Sequence, residues 1–405
     1  MFKLIFKTAI LSLFRRKMRT FLAIFMIATS LWGLMVMLGI YDGMMKQMID
    51  NAVRSDSGDI TIYRKDFRRD NEIKLHIKEP KNIIKEIEKN PAIRSHVQRV
   101  LSDGLIATAK YSKGVKIFGI DLEAEKRQAK LDSYIKEGSF DFGLRNRGII
   151  IGATLAKKLK ISIGKKVILS AQNSENEINS MALKVTGILK TNNMHIDGIG
   201  VFIPIEKAQK FLGIDGVMQI SMIFEDKSKI LTFQNDMTQK FPNLEFFRWD
   251  ELYPALMQSK AIMEQYSLIS YILIFFVAGI GIFGVVLVSV LERLREFAIL
   301  QAVGTPFKMV AQIIFLESLF IGIIGFILGC ILGGGTLYYF YIYGLDLSAF
   351  SDALDEFGMD AITYAVIKSS YFVTGFFAVL IAVVLSVIFP LRLLKKSKPI
   401  EVIND

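Results

Sequence analysis

Gln265–Leu291, QYSLISYILIFFVAGIGIFGVVLVSVL, contains no Asp, Glu, Lys or Arg, and its reading decides the fold. A helix needs about 20 apolar residues to cross the hydrocarbon of a bilayer. This run exceeds that length, so tilt or interfacial ends are expected. Working outward, Phe21–Ile40, Ser318–Leu345 and Ser369–Leu391 are equally free of charge. Of 405 residues, 52% are hydrophobic and 22% charged, so the two kinds are segregated along the chain. The expected fold class is membrane α-helical, with four transmembrane helices and a large mixed α/β extracytoplasmic domain between the first and second.

Lys and Arg near the span ends set the orientation. Lys3, Lys7, Arg15, Arg16, Lys17 and Arg19 precede the first span, and Arg293, Arg295 and Lys308 follow the second. Arg392, Lys395, Lys396 and Lys398 follow the fourth. With four spans these segments share one side, predicted to be the cytoplasm. The reading places an amphipathic interfacial helix at 1–20, with the stripe Phe2, Ile5, Phe6, Ala9 and Leu13. Spans follow at 21–40, 265–291, 309–345 and 369–391, and the external domain occupies 41–264. A cytoplasmic connection at 292–308, a short external loop at 346–368 and a cytoplasmic tail at 392–405 complete it. The first run lacks a small-residue cleavage site and reads as an uncleaved signal anchor.

In the external domain, Asp59–Tyr63, Val115–Ile120, Lys166–Ser170 and Leu183–Gly187 read as strands by β-branched content and turn boundaries. Pro80–Asn90, Thr154–Leu159 and Ile205–Leu212 read as helices. Ser170–Met181, SAQNSENEINSM, is polar and aperiodic and reads as a protruding loop, a candidate partner contact. The one cysteine, Cys330, excludes an intrachain disulfide. His76, His96 and His195 are scattered without zinc-type companions, so neither a metal nor a catalytic residue is assigned, and His195 with Asp197 reads as structural. A phosphate loop is missing at its nearest candidate: residue 159 is Leu and residue 166 is Lys. The net charge of +11 comes without a basic stripe interleaved with aromatics, so no nucleic acid is expected.

The connection between the second and third spans, Leu291–Gly304 (LERLREFAILQAVG), resembles the ER-x-RE signature of FtsX/MacB-like ABC transporter permeases. Arg15–Thr20 (RRKMRT) resembles that family's entry to the first span. Gly148–Ala156 with Ile163–Val167 resembles its external-domain pattern, although Lys165 stands where another polar residue is usual. Pro390–Arg392 and Lys398–Ile403 resemble its closing segment, and Trp249–Pro254 (WDELYP) resembles a stretch of Lol-type lipoprotein-releasing permeases.

The resemblance implies a type VII, MacB-like architecture in the bacterial inner membrane. It implies a separate ABC ATPase that binds ATP and Mg, a second permease copy or paralogue, and no cofactor in this chain. It also implies mechanotransmission, in which the cytoplasmic connection docks on the ATPase and the spans act as levers. Glu292, Arg295, Glu296 and Gln301 are then the expected ATPase contacts, with Gly304 ending the helix before Pro306. The substrate implied is a lipoprotein passed to a periplasmic carrier. Met35, Met37, Leu38, Trp249, Tyr266, Ile269 and Phe276 are candidate acyl-chain contacts, among surrounding membrane lipids. Gly325, Gly329 and Gly333 recur every fourth residue and form a small face for helix packing. Glu317, an acid at the start of the third span, is a candidate functional group. Alternatives are a MacB-like exporter of peptides, toxins or antibiotics, an FtsX-like regulator of cell-wall hydrolases, and, in another class, a membrane sensor or scaffold. A sensor would need an output domain, for which the short segment after Leu391 leaves little room.

Overall fold

The computed structural model describes residues 2–15, 17–356 and 359–396. Arg16 and the closing stretch Lys398–Ile403 lie outside the described residues. The chain divides into two compact units. One comprises Met1–Met45, Ser259–Asp346 and Ile362–Asp405, and the other Lys46–Gln258 with Leu347–Ala361.

Four helices are long and apolar enough to cross a membrane. The first span helix, Lys17–Ala52, continues into a π-helical turn at Val53–Ser57. The second is Pro254–Glu292, the third Phe307–Tyr343 and the fourth Ser369–Lys396. The second, with 39 residues, is about 58 Å long at 1.5 Å per residue, against about 30 Å of hydrocarbon. The first two helices outrun their charge-free stretches for a local reason. Met44–Met48 and Leu256–Glu264 carry charged and polar residues but are rich in good helix formers, and no proline interrupts them.

In the membrane unit, Gly325, Gly329 and Gly333 of the third helix lie against Ile27, Leu31 and Met35 of the first. A Cβ on Gly325 would come 2.8 Å from Ile27 Cβ, so the close approach depends on its absence. The N-terminal helix, Phe2–Arg15, packs part of its predicted stripe on protein. Ala9, Ser12 and Leu13 are buried, and the Phe6 ring meets Phe320 edge-on at 5.2 Å. Among the described side chains of this helix, Leu11 and Phe14, outside the predicted stripe, are exposed, and Phe6 within it is 41% exposed. At the other end Asp42 accepts bonds from Tyr371 and Lys368, and Val366 N donates to Gly39 O at 2.9 Å.

The second unit is built on a sheet whose strands are β1 (Ile60–Arg64), β2 (Ile93–Ala107), β3 (Ser112–Ile120), β4 (Ile135–Gly138), β5 (Gly148–Gly152), β6 (Lys166–Gln172), β7 (Ile178–Leu189), β8 (Gly200–Pro204), β9 (Gln219–Phe224) and β10 (Leu244–Arg248). Their order is β10-β1-β9-β2-β3-β8-β5-β7-β4, with β6 bridging β2 and β7. Pairings β3–β8 and β5–β7 are parallel, and the others are antiparallel. Strands β5, β8 and β9 are buried at every position, which explains their unbroken apolar sequences. Helices at Pro80–Glu88, Ala153–Leu159 and Ile205–Leu212 bury Ile83, Ile87, Leu155, Leu159 and Leu212 in the core.

Ser170–Met181 is not the protruding loop its polarity predicts. Ser170 pairs with Ser180 and Gln172 with Ile178, making it the end of a β-hairpin. Asn173 Oδ1 closes the turn by accepting from Glu175 N and Glu177 N. Ser174 Oγ and Asn179 Nδ2 donate to Gly213 O and Phe211 O, fastening the hairpin to the neighbouring helix. Its polar residues are therefore strand residues with one open face. Leu347–Ala361 also folds into this unit. Asp360 accepts from Gln47 Nε2 at 2.9 Å, from Asn51 Nδ2 at 3.2 Å, and from Asn192 Nδ2.

Candidate functional site

The connection between the second and third span helices is a short helix, Leu294–Ala302, set off by breaks at both ends. Arg293 interrupts the preceding helix. After the last turn Gly304 adopts φ +99°, a conformation that suits glycine, and Pro306 opens the next helix. Phe297 points inward, 1% exposed, among Val290, Val310 and Ile314. That anchor fixes which face of the short helix looks out: Arg295 and Glu296 are exposed, as are Ile299 and, just past its end, Val303.

Ion pairs hold this geometry. The Arg293 guanidinium lies 4.7 Å above the Phe297 ring and donates to Glu296 and to Glu317, each at 3.2 Å. Arg19 donates to Glu292 at 2.6 Å. Two of the acids expected to meet a partner, Glu292 and Glu296, thus bind arginines of this chain. Glu317 braces the connection against the third span helix. The side chain of Gln301 lies outside the described set. Sequence reasoning missed Arg293 as the hub, and Ile299 and Val303 as the outward apolar pair. Their spacing of four from Arg295 was the available signal.

The candidate acyl contacts separate into groups. Met35 and Leu38 are 0% and 4% exposed and belong to a packed cluster with Leu34, Leu337 and Tyr371. They are core residues and have no surface to offer a lipid, because the glycine face of the third helix draws this side of the first against it. Met37 is exposed. Tyr266, Ile269 and Phe276 are exposed too, and with Leu273 and Ile280 they form one ridge of the second helix. The spacing along the ridge, three then four, is that of a helix seam. The same helix touches its neighbours elsewhere, through Ile282, Val286 and Val290, and through Ser386 Oγ donating to Gly279 O at 2.8 Å.

Trp249 belongs to the α/β unit. It is half-buried at the start of the turn Trp249–Leu252, where the Glu251 carboxylate accepts from Arg248 N at 2.8 Å. His195 and Asp197 form no dyad. The buried Asp197 carboxylate accepts from Thr191 N at 2.8 Å and Asn192 N at 2.8 Å, holding a loop. Burial pushes its pKa up to about 6, against the lowering effect of those bonds. Among the described residues no group of three or more His, Cys, Asp and Glu is placed to hold a metal.

Four helices long and apolar enough to cross a membrane, a short anchored helix between the second and third, and an α/β unit inserted after the first define a multi-pass membrane protein. The MacB-like periplasmic core domain matches residues 20–240, more than half of the chain, and the FtsX-like permease C-terminal domain matches 268–399. The chain belongs to the FtsX/MacB-like family of ABC transporter permeases, with the type VII architecture. It is 20% identical over 282 residues to the lipoprotein-releasing system transmembrane protein LolE of Haemophilus influenzae, covering 68% of this chain and 66% of that one. It is 26% identical over 206 residues to the macrolide export ATP-binding/permease protein MacB of Nitrobacter winogradskyi, covering 46% and 31%. The chain thus spans about two thirds or less of these relatives. The crystal structure of the periplasmic region of MacB from Actinobacillus actinomycetemcomitans aligns with a TM-score of 0.35 and 14% identity, over 51% of this chain and 95% of that one.

Proposed function

We propose that this permease couples ATP hydrolysis by a separate ABC ATPase to release of a lipid-modified protein from the membrane to an external carrier. The connecting helix is its ATPase contact, through Arg295, Glu296, Ile299 and Val303. The termini and residues 292–308 are cytoplasmic, the α/β unit is external, and a second permease copy or paralogue completes the pair. ATP and Mg bind to the ATPase. The spans carry the movement, and the substrate needs no pore.

The observation that carries this reading is the exposed ridge Tyr266, Ile269, Leu273, Phe276 and Ile280. A polar solute needs polar or ionisable groups along its path in the membrane, and beyond the Tyr266 hydroxyl at its end this ridge offers only hydrocarbon side chains. An acyl chain needs only apolar contact. Its transfer to water costs about 0.8 kcal/mol per CH₂, a step that calls for ATP. The similarity to LolE supports the same substrate class. Reconstitution with the partner ATPase in proteoliposomes tests it. Acylated lipoprotein should stimulate hydrolysis and appear on a soluble acceptor, whereas the unacylated form should do neither. Response to a soluble peptide or macrolide alone would assign the chain to the exporters.

A further inference from the structure

We infer that a buried polar chain, Tyr253–Asp56–Arg99–Glu125, is the joint that fixes the outer ends of the first two span helices to the central sheet, with Arg99 as its positioning residue. This rests on the proposed lever mechanism and adds the place where the levers meet their load.

The two helices end at one carboxylate. Asp56 lies in the π-helical turn Val53–Ser57 that closes the first helix. Tyr253 lies between the turn Trp249–Leu252 and the start of the second helix at Pro254. Its hydroxyl donates to Asp56 Oδ2 at 2.5 Å. From the other side Arg99 Nη1 donates to the Asp56 backbone carbonyl at 2.5 Å. Arg99 is 1% exposed and stands on β2, which pairs with β3, β6 and β9. Its remaining donors go to Glu125, which is 0% exposed: Nε to Oε1 at 2.5 Å and Nη2 to Oε2 at 2.8 Å. A second tie runs beside the first, where Asn193 Nδ2 donates to Ser55 Oγ at 2.9 Å.

Stability alone does not call for this arrangement. Apolar residues of similar volume commonly replace buried ion pairs without loss. Apolar packing is non-directional, whereas a bidentate guanidinium–carboxylate pair fixes a plane. The π-turn serves the same end, since such turns are short local departures that re-aim residues at functional positions. Gly58, at φ +62°, closes it by donating to Val53 O at 2.7 Å. A force arriving along either helix is therefore delivered to β2 through directional bonds.

The test uses the full permease with its ATPase in proteoliposomes and two variants. Tyr253→Phe removes one hydroxyl. Arg99→Met with Glu125→Leu replaces the ion pair by apolar volume. Hydrogen exchange of β2 and β9 amides, compared between nucleotide-free and vanadate-trapped complexes, reads the joint without any substrate. Wild type should show a nucleotide-dependent difference, and both variants should lose it while keeping assembly and basal hydrolysis. Lipoprotein released per ATP should fall about tenfold, the equivalent of about 1.4 kcal/mol. A nucleotide-dependent difference that persists in the variants, or is absent in wild type, overturns the joint. A difference lost in the variants while wild type releases no lipoprotein leaves the joint standing and removes the substrate reading.

Discussion

Replacing Gly325 by alanine adds one methyl group where the first and third span helices meet. The new Cβ would lie 2.8 Å from Ile27 Cβ and 2.9 Å from Ile27 Cγ2. Apolar carbons rest at about 3.5–4.0 Å, so the helices must separate by roughly 1 Å. Ile27 Cβ is held by its backbone and cannot swing aside. Gly329 and Gly333 lie against Leu31 and Met35 on the same ridge, so the separation also loosens those contacts. A gap of about 0.5–1 Å forfeits roughly a quarter to a half of a contact's well depth. Overpacking of this kind costs about 1–3 kcal/mol, while helix propensity returns up to about 1 kcal/mol on replacing Gly. The expected net loss is roughly 0–2 kcal/mol, against a gain of up to about 1 kcal/mol where the methyl meets nothing. Gly335, on the same helix, has nothing within 4 Å of its would-be Cβ and serves as the control. Unfolding in mixed micelles with increasing SDS should show a lower midpoint for Gly325→Ala and an equal or higher one for Gly335→Ala. Equal midpoints for the two variants would refute the reasoning.

Two further outcomes are expected. Asp197 has a folded pKa of about 6 against about 3.9 when unfolded, so the folded domain holds a proton that the unfolded chain does not. Stability should therefore rise as pH falls from 6 to 4, by about 1.4 kcal/mol per unit within that window, and be lost again as pH rises through 6. Urea unfolding followed by Trp249 emission in a Trp32→Phe background should show this slope, and Asp197→Asn should flatten it; an unchanged slope removes the assignment. Cysteines introduced at the exposed Glu175 and Lys308, in a Cys330→Ala background, report topology. An impermeant maleimide applied to spheroplasts should label Glu175→Cys alone, and the reverse pattern inverts the orientation.

The spans were legible because absence of charge over so long a run has one physical explanation. Their ends were not. Lys46, Gln47, Asp50 and Asn51 look like the start of a soluble domain, yet they continue the first helix beyond the apolar stretch. In the sheet, LKVTG and VKIFGI announced themselves, but GIIIG, GVFIP and QISMIF did not alternate, since both faces of those strands are buried. The polar hairpin 170–181 misled for the opposite reason, with few apolar residues to mark its pleat. At the connecting helix the motif was readable, but which acids are spent on Arg19 and Arg293 depends on contacts distant in sequence. Met35 looked like surface until the glycine face opposite it was seen to be a socket. Arg99 carried no signal at all, being one arginine in a strand.

The placement of Leu347–Ala361 bears on how the external domain can be studied by itself. A soluble fragment cut at residues 46 and 258 would contain every strand of the sheet and still be incomplete. It would lack Asp360, the acceptor for the side-chain amides of Gln47, Asn51 and Asn192. Each lost bond withdraws about 0.5–1.5 kcal/mol, concentrated where the fragment's new N-terminus would already fray. Binding measurements on such a truncation would then describe a domain with a loosened end. Excision calls for a discontinuous design, with residues 347–361 returned on a flexible tether or supplied as a peptide in trans.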